Sequence, residues 1–60
     1  MSWNEFYRGQ EVEYRSRTRR YAAEVISVTH EEINVKVDYG RHGTQRRTVT
    51  KRHQICYQTI

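Results

Sequence analysis

Tyr14 and Tyr21 enclose Arg15-Ser16-Arg17-Thr18-Arg19-Arg20, so four arginines lie between two tyrosines. Further on, Tyr39 stands in Val37-Asp38-Tyr39-Gly40. Arg41, His42, Arg46, Arg47, Lys51, Arg52 and His53 follow, with no acidic residue from position 41 to 60. The chemistry these residues offer is non-covalent. Arginine presents a planar fork of donors that matches phosphate and stacks on rings and bases. A tyrosine ring offers a stacking surface worth ~1–3 kcal/mol per base. The interleaving therefore suits a nucleic acid, DNA or RNA. Arg15, Arg17, Arg19, Arg20, Arg41, Arg46, Arg47 and Arg52 would follow the phosphates, and Tyr14 and Tyr39 would serve as platforms. The plainer alternative is a solvated charged face with scattered ion pairs, each worth little.

Residues for other chemistry are sparse. His30, His42 and His53 are spread over expected turns, Asp38 is the only aspartate, and no serine or cysteine sits in a nucleophile motif. His53-x-x-Cys56 has ligand-like spacing, but a structural zinc site wants four ligands. His42 would be a third, and there is no evident fourth. No enzyme, metal, cofactor or small-molecule substrate is expected, since a small barrel with charged loops lacks the enclosed pocket that chemistry needs. Cys56 is the only cysteine, which fits a reducing compartment, nuclear or cytoplasmic, and a small apolar packing role. No apolar run reaches membrane-spanning length, and Met1-Ser2-Trp3-Asn4-Glu5 is not a signal-peptide start.

The elements that must hold these residues are strands. The chain of 60 residues has no leucine and no proline, while Val, Ile and Thr together number sixteen. Branching at Cβ favours strands over helices, and the chain reads as all-β. Gln10 to Arg15 alternates, with Val12 and Tyr14 on one face. Tyr21 to Thr29 follows, with Tyr21, Ala23 and Val25 on one face and Ile26 and Val28 on the opposite parity, which marks a bulge near Ile26–Ser27. His30-Glu31-Glu32 makes a hairpin turn. Ile33, Val35, Val37 and Tyr39 alternate with Asn34, Lys36 and Asp38 in a third strand. Gly40 and Gly43 bracket a tight connection. A fourth strand runs from Thr44 to Thr50 with Val49 as its apolar anchor. A turn of 3₁₀ helix at Lys51-Arg52-His53 leads to a short fifth strand, Gln54 to Tyr57. One domain is expected over residues 9–58, after a loosely ordered segment 1–8 in which Phe6 and Tyr7 pack over a barrel end. Five short strands suit a closed or nearly closed barrel, because closure removes exposed edges.

Three motifs resemble the Tudor family of SH3-like barrels, with chromo-barrels as close relatives. Gly9-Gln10-Glu11-Val12 resembles that family's opening glycine-x-x-valine. Tyr21-Ala22-Ala23-Glu24-Val25 resembles its tyrosine-x-alanine-x-valine strand. Val37-Asp38-Tyr39-Gly40 resembles its hydrophobic-aspartate-tyrosine-glycine turn. The resemblance covers about Gly9 to Ile55 and implies a five-stranded SH3-like barrel. It also implies a monomeric module of a larger protein or complex associated with chromatin or RNA.

The resemblance further implies an aromatic cage for a methylated lysine or arginine in a protein tail, with Tyr14, Tyr21 and Tyr39 at matching positions and Trp3 as a substitute wall. A methylated cation sheds water easily and lies against several ring faces at once. Two positions depart from the family pattern. Lys36 stands where a third-strand aromatic is common, and Arg41 where an asparagine often orients the ligand. At ~4 Å and an effective dielectric near 20, a like charge costs about 4 kcal/mol. One cation–π contact returns only ~0.5–2 kcal/mol.

The net charge is +4, with nine arginines and two lysines against seven acids. Such a balance points to nucleic acid or to an acidic partner protein. If the Glu31-Glu32 turn lies at the end opposite the arginine loops, the domain is electrostatically two-faced.

Overall fold

In the computed structural model, residues 3 and 5–57 are described; positions 1, 2, 4 and 58, which the expected segments include, lie outside the described residues. Five strands form one antiparallel sheet. They are β1 (Glu11–Arg15), β2 (Arg20–Val28), β3 (Ile33–Asp38), β4 (Thr44–Val49) and β5 (Ile55–Tyr57), in the spatial order β4-β3-β2-β1-β5. Turns of 3₁₀ helix at Gly40–His42 and Arg52–Gln54 join the last three strands. The all-β expectation holds, and the strand bounds fall within a residue of those read from the alternation.

Alternation also places the core. Val12 of β1, Ala23 and Val25 of β2, Ile33, Val35 and Val37 of β3, Val49 of β4 and Ile55 of β5 are all buried. Tyr14, Tyr21, Val28 and Tyr39 pack against them, half-buried. On β2 the pairing jumps from Val25↔Val35 to Ser27↔Asn34, so Ile26 is the extra residue of a bulge. The bulge returns Val28, opposite Ile33, to the core side, as the change of parity required. On the outer face, the Thr48 hydroxyl donates to Asn34 Oδ1 at 2.7 Å. Asn34 Nδ2 donates in turn to Ser27 Oγ at 3.0 Å.

The sheet is not closed among the described residues, so the expected closure into a barrel is not confirmed. β4 and β5 stand at its two edges and are not paired with each other. Two features account for this. β5 has only three residues. The core-facing positions of β4 are Gln45, Arg47 and Val49, and only Val49 is buried. Little apolar surface remains to draw the edges together. The strand order remains compatible with an SH3-like fold.

Aromatic residues ahead of β1 cover the core instead. Trp3 is 2 % exposed and Phe6 4 %. Their ring centroids lie 5.8 Å apart, and Phe6 stacks on Tyr57 of β5 at 5.2 Å. Gly9 and Gln10 tie this segment to the bulge, since Gly9 N–H donates to the Val25 carbonyl at 2.8 Å and Val25 N–H donates to the Gln10 carbonyl at 2.9 Å. Tyr7, expected to pack beside Phe6, is 65 % exposed, since it points away from the apolar face that Phe6 fills.

The β3–β4 connection is closed by local hydrogen bonds. Asp38 Oδ1 accepts from Gly40 N–H at 2.8 Å, and Tyr39 N–H donates to the Gly43 carbonyl at 2.8 Å. Gly43 adopts φ 80°, ψ −160°, a region essentially reserved for glycine. A Cβ there would meet no atom within 4 Å, so only backbone strain opposes a substitution. Gly43→Ala is expected to cost about 1–3 kcal/mol. At about 4–8 °C per kcal/mol for a domain of this size, a thermal melt should lose at least about 4 °C. An unchanged melt would show that the loop relaxes freely.

Candidate functional site

The end of the sheet where β1 meets β2 gathers most of the residues singled out by the sequence. Tyr14 and Tyr21 are direct cross-strand partners on the core side. The Tyr21 and Tyr39 rings meet edge to face with centroids 4.6 Å apart. Tyr39, held by its own tight connection, is reached from the next strand by Arg47. Arg47 Nε–H donates to the Tyr39 hydroxyl oxygen at 3.0 Å, and Nη2 donates to Gln45 Oε1 at 3.2 Å. A row of Tyr14, Tyr21, Tyr39 and Arg47 thus crosses β1 to β4 on one face.

The three expected cage tyrosines are therefore brought together, but not as an empty cage. At 4.6 Å, Tyr21 and Tyr39 are near the closest separation of an aromatic pair, which leaves no slot for a cation between them. Arg47 adds a positive charge beside Tyr39, its Cζ 5.7 Å from the ring centroid. The Tyr39 hydroxyl holds Arg47 more firmly protonated than an ordinary arginine, with a smaller contribution from the nearby Tyr14.

Lys36, whose charge would have opposed a methylated ligand, faces the other way. It sits between core-facing Val35 and Val37 and lies in register with Glu24 on one side and Arg46 on the other. Arg46 shares this outer face, so it is separated from the tyrosines by the thickness of the sheet. Trp3 is no cage wall, being part of the core.

The remaining arginines sort by position. Arg17 lies in the turn between β1 and β2, and Arg19 closes it. Ser16 N–H donates to the Arg19 carbonyl at 2.8 Å, and the Ser16 hydroxyl bonds both polar backbone groups of Arg19. Arg15 and Arg20 are cross-strand partners just below this turn. Both lie near the half-buried Glu13, with Arg15 Nε at 3.3 Å and Arg20 Nε at 3.9 Å. Arg41 is exposed on the adjacent turn, next in space through Tyr39. Arg17, Arg19 and Arg41 have no ion-pair partner among the described residues.

Arg52 belongs elsewhere. Its Nε donates to Glu5 Oε1 at 2.7 Å and its Nη1 to the Ile55 carbonyl at 2.7 Å, and its Cζ lies 4.8 Å from the Phe6 ring centroid. This arginine fastens the N-terminal aromatics to β5 and is engaged internally.

The charges also separate along β2. One end of this nine-residue strand meets the arginine turn. The other meets the Thr29–Glu32 turn, where Thr29 makes the same hydroxyl bonds to Glu32 that Ser16 makes to Arg19. At ~3.3 Å per residue the two turns are about 30 Å apart, but Thr50, Lys51 and Arg52 lie beside Glu31 at the far end, so that end carries mixed charge rather than a purely acidic face.

No protein-family model, curated protein or solved structure matches the chain.

Proposed function

We propose that this chain is a non-catalytic, Tudor-like interaction module that binds nucleic acid. The observation that carries the reading is the gathering of Arg15, Arg17, Arg19, Arg20 and Arg41 around one end of the sheet. Glu31 and Glu32 lie at the other end, beside Lys51 and Arg52. Counterion release from the phosphates drives such binding and makes it steeply salt-dependent. Binding of this kind also suits a module of a chromatin- or RNA-associated assembly.

A second reading, capture of a methylated lysine or arginine tail, draws on the gathering of Tyr14, Tyr21 and Tyr39. The closed Tyr21–Tyr39 contact and the adjacent Arg47 charge weigh against it. An acidic partner protein would use the same arginines as nucleic acid.

A backbone amide NMR titration separates the three. The samples would receive an oligo-dT strand, a mixed-sequence duplex, methylated and unmethylated peptides, and a polyglutamate peptide. The expected result is salt-sensitive shifts at Arg15 to Arg20 and at Arg41 with one or both oligonucleotides. Shifts confined to the tyrosines with a methylated peptide alone would overturn the proposal in favour of the cage. Response to polyglutamate without response to either oligonucleotide would overturn it in favour of the acidic partner.

A further inference from the structure

We infer that the tyrosine rim is a receptor for a phosphodiester oxygen, with Arg47 as the contacting group and Tyr39 as the residue that positions it. The inference rests on the nucleic-acid reading and assigns the rim a different task from base stacking or cation capture.

The argument begins with β4. Arg47 is two residues from Val49 and so shares its core-facing side, but β4 is an edge strand and the guanidinium stays open to solvent. Its two internal bonds go through Nε to Tyr39 and Nη2 to Gln45. Those groups form one edge of the planar fork. The other edge, formed by Nη1 and the second Nη2 proton, is left to bind an oxyanion. Both acceptors are neutral, so the positive charge is not cancelled, and among the described residues Arg47 has no carboxylate partner.

The mounting is stiff. Tyr39 is braced by the Tyr21 ring on one side and by the closed Asp38–Gly43 connection on the other. An arginine already fixed along one edge loses less side-chain freedom when a ligand engages the other. Arg17, Arg19 and Arg41 lack such supports and serve to attract the strand, whereas Arg47 defines where a phosphate comes to rest. A phosphate contact carries no sequence information, and the half-buried, mutually packed tyrosines offer few free ring faces, so binding should be nearly indifferent to base sequence.

Tyr39→Phe tests this with little disturbance, since it removes one oxygen and leaves the ring contact and the net charge in place. Fluorescence anisotropy with labelled oligo-dT is expected to show an affinity about fivefold weaker, the worth of one ordinary hydrogen bond. The salt slope should be unchanged. Arg47→Ala should weaken binding further and reduce the slope by about 0.7. In wild type, the Arg47 Nε–H NMR signal should shift on adding the oligonucleotide. Equal stability of the variants would be verified by thermal melts.

If wild type binds and both variants bind as tightly, with the Nε–H signal unmoved, the inference is overturned while the nucleic-acid reading stands. If Tyr39→Ala abolishes binding while Arg47→Ala is harmless, the rim stacks bases and the inference is likewise overturned. Absence of any wild-type binding to strand or duplex would overturn the nucleic-acid reading itself. Inorganic phosphate at matched ionic strength distinguishes the source. Its shifting the Nε–H signal as strongly as the strand does, at equal phosphate concentration, would show a free-anion site and overturn the assignment to a nucleic-acid backbone.

Discussion

Trp3→Ala is expected to leave little folded protein at physiological temperature. Trp3 is 2 % exposed and joins a core of only ten buried residues among those described. Its ring lies against Phe6, with Arg52 above at 5.9 Å. Truncating a buried tryptophan costs about 3–5 kcal/mol. At roughly 0.05–0.15 kcal/mol per residue, the whole domain is stabilised by about 3–9 kcal/mol. One side chain outside every strand therefore carries a third or more of the stability. The expected loss in a thermal melt followed by circular dichroism is about 12 °C or more. A loss below about 4 °C would show that the strands hold without this cover. Trp3→Phe should fall between the two.

The second large effect concerns the basic turn. Arg17→Glu combined with Arg19→Glu takes the formal charge from +4 to zero and places two anions where phosphates would approach. Affinity for an oligonucleotide at low salt should drop about 100-fold, and the magnitude of the salt slope should fall by about 2. Thermal stability should hardly change, because neither side chain makes a core contact and the turn is closed by Ser16 and backbone groups. Arg46→Glu and Arg17→Glu form a matched pair, each lowering the charge from +4 to +2, but on different surfaces. Equal losses from these two single substitutions would mean that net charge alone drives binding, with no localised site.

Much of this arrangement was legible in the chain. Period-two alternation marks β1 and β3, and the parity change at Ile26–Ser27 marks the bulge. Those signals survive because a buried face forces side chains into register. The same logic would have found Arg47. Val49 is the evident anchor of β4, and counting back two residues puts Arg47 on the inner side and Arg46 on the outer. The two adjacent arginines instead read as a single charge cluster, since charge density along a chain says nothing about which face each charge takes. Lys36 was legible by this rule too, lying between Val35 and Val37.

What the chain did not disclose depends on contacts distant in sequence. Arg52 looks like any other basic residue until Glu5 is folded beside it, 47 positions away. Phe6 covers the core as its segment suggested, whereas no local pattern records that Trp3 is buried beside it.

The separation of Arg17 from Glu31 along β2 has a consequence for solutions of the protein with no ligand present. The arginine turn of one copy can attract the Glu31–Glu32 turn of another head to tail, with Lys51 and Arg52 beside those glutamates offsetting part of the attraction, and such contacts do not close into a ring unless the rotation between copies permits. Chains of this kind weaken once ions screen the ends, with a Debye length of about 30 Å at 0.01 M falling to about 10 Å at 0.1 M. The protein should therefore salt in, dissolving more readily as modest salt is added, and light scattering across that range would register the change. A concentrated sample dialysed into pure water is where it should precipitate first.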